Sequence, residues 1–291
     1  MFTFKMKYRL CELFGIPILI DFSFLVLLFL FVSSQGSLAR GLAFALVLAL
    51  SVLLHELGHS LTARAFGYET RDITISLLGG CASLIALPRE PRQELLTALA
   101  GPAVSFALAV GSLAGLSLLG EGSAVSLVWH LLAGSVAYAE YGARVVFLNP
   151  DQMLNGYEIY YSCPKALYWL VDALIDIGCL NAMLGAFNLL PGFPMDGGRI
   201  FRSVMRAFVS KPRATFVAMW VGRIFAILLG LGGLNAIVHG GSWGFVRILI
   251  AVMIWQEGWR EYQLALMESS WREWSQGDFK ARVSPPPYEE D

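Results

Sequence analysis

The residues best suited to chemistry in this 291-residue chain are His55, Glu56 and His59, in the run His55-Glu56-Leu57-Gly58-His59. On a helix, positions four apart share one face about one turn apart, so both imidazoles can reach one ion. Two nitrogen donors fill two tetrahedral positions on Zn2+ and leave room for water. Glu56, beside the first donor, can take the proton as that water attacks a peptide carbonyl. So short a pattern also arises by chance, but here it ends the charge-free stretch Gly41–Leu54. Ionisable groups at the end of such a stretch are costly and mark function. The bland alternative, polar residues that merely cap a helix at the membrane surface, leaves that cost without a return.

A catalytic zinc site takes three protein ligands, so a third must come from elsewhere in the chain. Two aspartates compete: Asp196, in Phe187-Asn188-Leu189-Leu190-Pro191-Gly192-Phe193-Pro194-Met195-Asp196-Gly197-Gly198-Arg199, and Asp151, in Asn149-Pro150-Asp151. Choosing between them requires the elements that would carry each one.

Hydrophobic residues make up 56% of the chain and charged residues 15%, against about 25% charged in ordinary soluble domains. The charges cluster in short segments between long apolar stretches, the pattern of a polytopic membrane protein. A net charge of −1 gives no reason to expect nucleic acid as a partner. Four scattered cysteines, without Cys-x-x-Cys spacing, read as packing residues. The expected spans are Ile16–Val32, Gly41–Ala65, Leu95–Leu119, Leu170–Leu190, Met219–Val238 and Phe245–Trp259. Lys5, Lys7 and Arg9 before the first resemble a signal-peptide start, but no small-residue cleavage site follows, so a retained helix is expected. A shorter apolar stretch, Ala124–Ala139, reads as an interfacial or partly inserted helix within a far-side linker, 122–169.

Positive charge falls in alternate loops: Lys5, Lys7 and Arg9; then Arg64, Arg71, Arg89 and Arg92; then Arg199, Arg202, Arg206, Lys211 and Arg213. The asymmetry places both termini in the cytoplasm. Arg64 and Arg199 mark the same side, so His59 and Asp196 can meet at similar depth, whereas Asp151 lies across the bilayer. Asp196 is the better ligand on that parity. Between spans two and three, Ile73-Thr74-Ile75-Ser76-Leu77 alternates before Gly79-Gly80, which predicts a β-hairpin over 70–87, the alternative being an irregular loop. The fold class is therefore an α-helical polytopic membrane protein, with about six transmembrane helices and a small membrane-associated β-hairpin or sheet after the second.

Gly41–Arg64 with its HELGH, together with the Phe187–Arg199 segment FNLLPGFPMDGGR, resembles the site-2 protease family of intramembrane zinc metalloproteases. Phe14-Gly15-Ile16-Pro17 and Gly101-Pro102-Ala103-Val104-Ser105 add to the likeness, which covers most of Phe14 to about Gln256. The resemblance implies one Zn2+ per chain held by His55, His59 and Asp196, with Glu56 as the catalytic carboxylate. It also implies that Asn188 binds substrate or stabilises an oxyanion. Residues 1–264 would form the intramembrane metalloprotease domain, with no PDZ or CBS module, and 265–291 a cytoplasmic tail that is largely disordered at its end. The expected activity is hydrolysis of peptide bonds in or next to transmembrane segments, in a multi-pass protein of the bacterial cytoplasmic membrane. The expected partners are a membrane-anchored protein substrate and the lipid bilayer, with a homo-oligomer or a regulatory membrane partner left open. Two rival readings are a catalytically silent zinc-site regulator and a metal or solute transporter. Transport calls for polar groups along a path through the bilayer, whereas here they gather near one side.

Overall fold

The computed structural model describes residues 7–34, 37–76, 79–85, 88, 90–149, 159–240 and 244–275. Asp151 and the end of the expected tail lie outside the described residues. Two compact units divide the chain: Met1–Pro88 with Leu99–Phe187, and Arg89–Ala98 with Asn188–Asp291.

The first unit opens with an antiparallel hairpin, β1 (Lys7–Leu13) and β2 (Ile16–Asp21). Phe14 and Gly15 both take positive φ, 53° and 77°, the left-handed pair that a tight two-residue hairpin turn requires. Strand β2 runs parallel to β3 (Thr70–Ser76), and β3 antiparallel to β4 (Gly79–Leu84), in the order β1-β2-β3-β4. Helices α1 (Phe22–Ser34) and α2 (Leu38–Ala65) form the crossover between β2 and β3. Alternate residues Ile16, Ile18, Ile73 and Ile75 bury one sheet face against Val52 and Leu57 of α2. The hairpin expected over 70–87 is thus part of a four-stranded sheet.

The expected first span, Ile16–Val32, requires correction, because its first six residues are strand β2. Ile16, Ile18 and Ile20 alternate at the strand period, and Asp21 accepts the Ser23 N–H at 2.8 Å as α1 begins. Apolar content alone cannot separate a buried strand from a helix. Helix α1 has 13 residues, about 20 Å of rise against a hydrocarbon core of about 30 Å. Four described helical segments are long and apolar enough to cross a membrane: α2, α3 (Pro91–Leu119), Lys165–Asn188, which contains α5 (Tyr168–Asn188), and α7 (Lys211–Val238). The chain is therefore a multi-pass membrane protein built mostly of helices, with four such described spans rather than six.

The described parts of the 122–169 stretch, expected as a linker, are folded. Helix α4 (Ala124–Leu132) is followed by a sheet of order β5-β8-β7-β6, with β5 Glu121–Gly122, β6 Ala137–Tyr141, β7 Arg144–Leu148 and β8 Ile159–Pro164. The Ala124–Ala139 stretch, expected as one helix, divides between α4 and β6. Leu127, Val145, Phe147 and Tyr161 form its core with Leu116 of α3 and Val171 of α5, and the Tyr161 hydroxyl donates to the Leu116 carbonyl.

Polar pairs join α2 to α5 within the same unit. Arg40 Nη1 lies 2.6 Å from a carboxylate oxygen of both Asp172 and Asp176. Deeper along both helices, Asn181 donates to Ser51 Oγ at 2.8 Å. A polar side chain facing apolar surroundings needs such a partner.

In the second unit, α6 (Asp196–Met205) is followed by the pair α7 and α8 (Gly244–Ser275). Helix α8 runs past the expected domain end at 264, because Ala265 is buried and Lys211 reaches Glu268 at 2.5 Å.

Asp72 ties β3 to β4, accepting from Arg71 Nε at 2.8 Å and from Thr74 and Ser83 at 3.1 Å. Burial pushes its carboxyl up, but the bonds from Arg71, Ser83 and Thr74 outweigh this and hold it below the usual carboxylate range. Its stabilisation is therefore complete above the unfolded value and lost as pH falls through the depressed one. Opening of β3–β4, read by hydrogen exchange corrected for intrinsic rates, is expected to stay constant above about pH 4 and rise below it. Asp72→Asn should flatten that dependence.

Candidate metal centre

His55, Glu56 and His59 all lie on α2, whose N-terminus is capped by the Ser37 hydroxyl and whose last turn carries Arg64. All three are buried, at 3%, 9% and 5% exposure. The Nε2 atoms of His55 and His59 are 3.2 Å apart, with the rings edge to face. Two ligands at zinc–nitrogen bond length and tetrahedral angle stand about 3.3 Å apart, so the pair already has the spacing that the ion requires. His55 Nδ1 lies 2.9 Å from Ser105 Oγ on α3. With Nε2 as the ligand atom, Nδ1 carries the proton and donates to Ser105, which fixes tautomer and ring plane together.

Glycines set the space around these rings. A Cβ on Gly101 would collide with His59 Nε2 and stand 2.7 Å from His55 Nε2, while one on Gly58 would stand 2.9 Å from the Ala100 carbonyl oxygen. Helices α2 and α3 therefore approach backbone to side chain, with no side chain between them at the histidines. Gly80 of β4 passes so close to Glu56 that a Cβ there would overlap its side chain. Among the described residues β4 is an edge strand of the four-stranded sheet, and its Gly80 lies beside the carboxylate.

Asp196 opens α6, buried at 9% exposure, where the helix N-terminus favours its negative charge. The turn before it is folded against its own backbone. A Cβ on Gly197 would strike the Leu189 and Leu190 carbonyls, and one on Gly198 the Gly192 carbonyl oxygen at 2.8 Å. Phe193 and Met195 are buried, and the Arg202 guanidinium covers the Phe193 ring at 4.8 Å. Arg202 donates through Nε to Glu94 at 2.8 Å and reaches Glu261 at 3.1 Å, while Arg206 reaches Glu94 at 3.2 Å. Burial works against the Arg202 charge, and the Glu94 and Glu261 carboxylates overcome it, raising its pKa above the ordinary value.

Among the described residues, His55 and His59 of the first unit are two buried imidazole donors, and Asp196 of the second unit is a buried carboxylate of the kind that completes such a set. Two imidazoles and one carboxylate suit Zn2+ and leave a tetrahedral position open, so the donor set fits the ion. Asn188 ends α5 and is partly buried. The two remaining histidines are engaged elsewhere: His130 stacks on Tyr160 at 4.2 Å, and His239 bonds its own helix at Asn235. Gly101 and Ser105 read in the sequence as small residues for helix packing, and their closeness to the imidazoles was not legible from that spacing. A serine one turn beyond Gly-Pro in an otherwise apolar helix was the available signal.

Gly101→Val is expected to lower bound zinc at least tenfold in the purified protein, measured by elemental analysis. Ser105→Ala should weaken zinc affinity by about 10-fold, as loss of a bond to a ligand does. Arg202→Met should cost about 3–5 kcal/mol by leaving Glu94 buried and less well paired, read by thermal unfolding in detergent. Arg9→Met, at the exposed pair with Glu12, should cost less than about 1 kcal/mol.

Comparison with known proteins gives the family of the chain and relatives named for zinc. Residues 43–231 match the family model for peptidase family M50. A zinc metalloprotease of Methanocaldococcus jannaschii is 29% identical over 264 residues, covering 90% of this chain and 62% of the relative. A relative from Synechocystis, described provisionally as a zinc metalloprotease, is 32% identical over 253 residues, covering 81% of this chain and 55% of its own length. This chain therefore spans between about half and three-fifths of these relatives. The solved structure of the site-2 protease from Methanocaldococcus jannaschii matches 88% of this chain and 95% of its own, with a TM-score of 0.57 and 26% identity. The family match extends over the HELGH helix and the Asp196 turn alike, and the chain belongs to peptidase family M50, the site-2 protease family.

Proposed function

We propose that this chain is an intramembrane zinc endopeptidase that hydrolyses peptide bonds within or next to transmembrane segments of membrane-anchored proteins. The observation that carries the reading is the 3.2 Å spacing of two buried imidazole nitrogens in a chain of membrane-spanning helices. His55, His59 and Asp196 would hold the ion, which when bound supplies Lewis acidity toward a peptide carbonyl and toward water. Glu56 takes the proton of the attacking water and returns it to the leaving amine, a role its buried place beside His55 supports. Ser105 keeps His55 in the tautomer that leaves Nε2 free.

A transmembrane helix hides its peptide bonds in its own hydrogen-bond ladder, so the substrate must become extended before cleavage. The unpaired edge of β4 beside Glu56 can add such a segment as a further strand, which recognises main chain rather than sequence. Asn188 is assigned as a donor to the carbonyl oxygen as it becomes negative, the charge that develops in the transition state. The basic residues at and after the end of α2 (Arg64, Arg71) and after α5 (Arg199, Arg202, Arg206) support a cytoplasmic position for this end of α2. Residues 1–264 are assigned to the protease domain.

Glu56→Gln is expected to abolish cleavage of a single-span substrate in proteoliposomes while leaving bound zinc and thermal stability near the starting values. Full activity in that variant would sink the assignment. Asn188→Ala should lower kcat by about 10²–10³ with little change in KM, as loss of an oxyanion donor does.

A further inference from the structure

Arg223 differs from the other deeply placed arginines. Arg40 and Arg202 each meet carboxylates, whereas no ion pair forms to Arg223 among the described residues. Its guanidinium lies 4.4 Å from the Trp255 ring, 5.0 Å from Trp220 and 5.5 Å from Trp259. Its Nε is buried without a hydrogen-bond partner. The nearby carboxylate of Glu257 is paired with Arg260 at 3.5 Å. Indole faces orient a cation but do not neutralise it, so the charge remains open to an anion.

Two clefts meet at Trp255 and Gln256, and this arginine lines the first of them. The first, about 450 Å³, is lined by Arg223, Trp255, Gln256 and Trp259. The second, about 270 Å³, shares Trp255 and Gln256 and continues between α7 and α8 past Ala226, Ile227, Gly230, Ala251 and Val252. From Arg223 to Gly230 is about 10 Å of helix rise, leading away from Lys211 and Arg213 into the charge-free stretch 224–238. Trp220, Trp255 and Trp259 are 41–46% exposed, and beyond them α8 becomes charged at Glu257, Arg260 and Glu261. Half-exposed tryptophans where apolar helix gives way to charged helix mark the headgroup level of a bilayer. The surface therefore has a cationic end at headgroup depth and an apolar groove directed toward the bilayer interior.

We infer that the α7–α8 face around Arg223 is a binding site for one anionic phospholipid, with the phosphate at Arg223 and Gln256 and an acyl chain along the Ala226–Gly230 groove. The headgroup carries net negative charge, because the indoles that could receive a cationic headgroup already hold Arg223. Free phosphate would share the charged end but leave the groove empty.

The test uses the full chain in phosphatidylcholine nanodiscs containing rising fractions of phosphatidylglycerol with brominated acyl chains, read by quenching of tryptophan fluorescence. Quenching is expected to saturate at low fractions of the anionic lipid and to need much more brominated phosphatidylcholine. Arg223→Gln should shift the midpoint by about fivefold, the contribution of one cation at a membrane surface, and Arg223→Lys should keep most of the binding. Gly230→Leu, which fills the groove without touching the charge, should weaken binding as well; its nearest neighbour at that site is Ala251 at 3.7 Å. Inorganic phosphate at millimolar concentration should not displace the lipid. Equal quenching by the two brominated lipids would overturn the site as ordinary annular lipid. Displacement by phosphate alone would overturn its assignment to a lipid. Should Arg223→Gln lose helical circular dichroism, the headgroup comparison on the unsubstituted chain and the Gly230→Leu midpoint decide.

Discussion

Helices α2 and α3 meet through Gly58 and Gly101, and the polar chemistry at the histidine pair depends on how little that contact leaves between them. A single Cβ at Gly101 would stand among the imidazole nitrogens, and one at Gly58 would press on the Ala100 carbonyl. Because neither is present, His55 and His59 keep their Nε2 atoms 3.2 Å apart and His55 reaches Ser105 on the facing helix. In an apolar medium nothing else would hold an imidazole in one plane, since water is not there to exchange for the missing bond. Close packing of small residues thus serves the donor geometry as much as helix association.

The same restriction governs the other charges in the fold. Arg40 divides itself between Asp172 and Asp176, Asn181 reaches Ser51, and Arg202 joins Glu94 to Glu261. Each is a polar group that an apolar environment would penalise if it stood alone. In the first unit the pairs tie α2, which carries the histidines, to α5. In the second they clamp the turn that presents Asp196 at the start of α6. Buried ion pairs of this sort add little net stability over apolar packing, but removing one partner is expensive. Their effect is to hold helix register, which a donor pair spaced to a few tenths of an ångström requires. Arg223 departs from the pattern, with aromatic faces in place of a carboxylate.

The β structure adds a different element to a helical membrane protein. Strand β2 and its hairpin partner precede the first helices, and β3–β4 follow α2, so the chain returns to the same sheet after α1 and α2. An open strand edge at β4 is ordinarily a liability for unwanted pairing. Among the described residues, β4 carries such an edge, and its Gly80 lies beside Glu56.

Much about this chain follows from local sequence. The length of the apolar run and the absence of charge over Gly41–Leu54 define α2 and place His55, Glu56 and His59 on it, because helix geometry relates positions four apart whatever surrounds them. Alternation at Ile73 and Ile75 likewise announces β3, whereas Gly79-Gly80, which read as the turn, open β4 and pair with Ser76 and Ile75. What local sequence could not decide is whether an apolar run is strand or helix: Ile16–Asp21 is as apolar as a membrane span and becomes β2 because β1 and β3 supply its hydrogen-bond partners. The segment 122–169 reads as a linker because the core of its described part is shared, drawing on Leu116 of α3 and Val171 of α5. The roles of Gly101, Ser105, Gly80 and Arg202 are likewise tertiary. A glycine that clears space for an imidazole has the same local signature as one that merely packs a helix, and a carboxylate's partner is chosen by distance in space, which spacing along the chain does not encode.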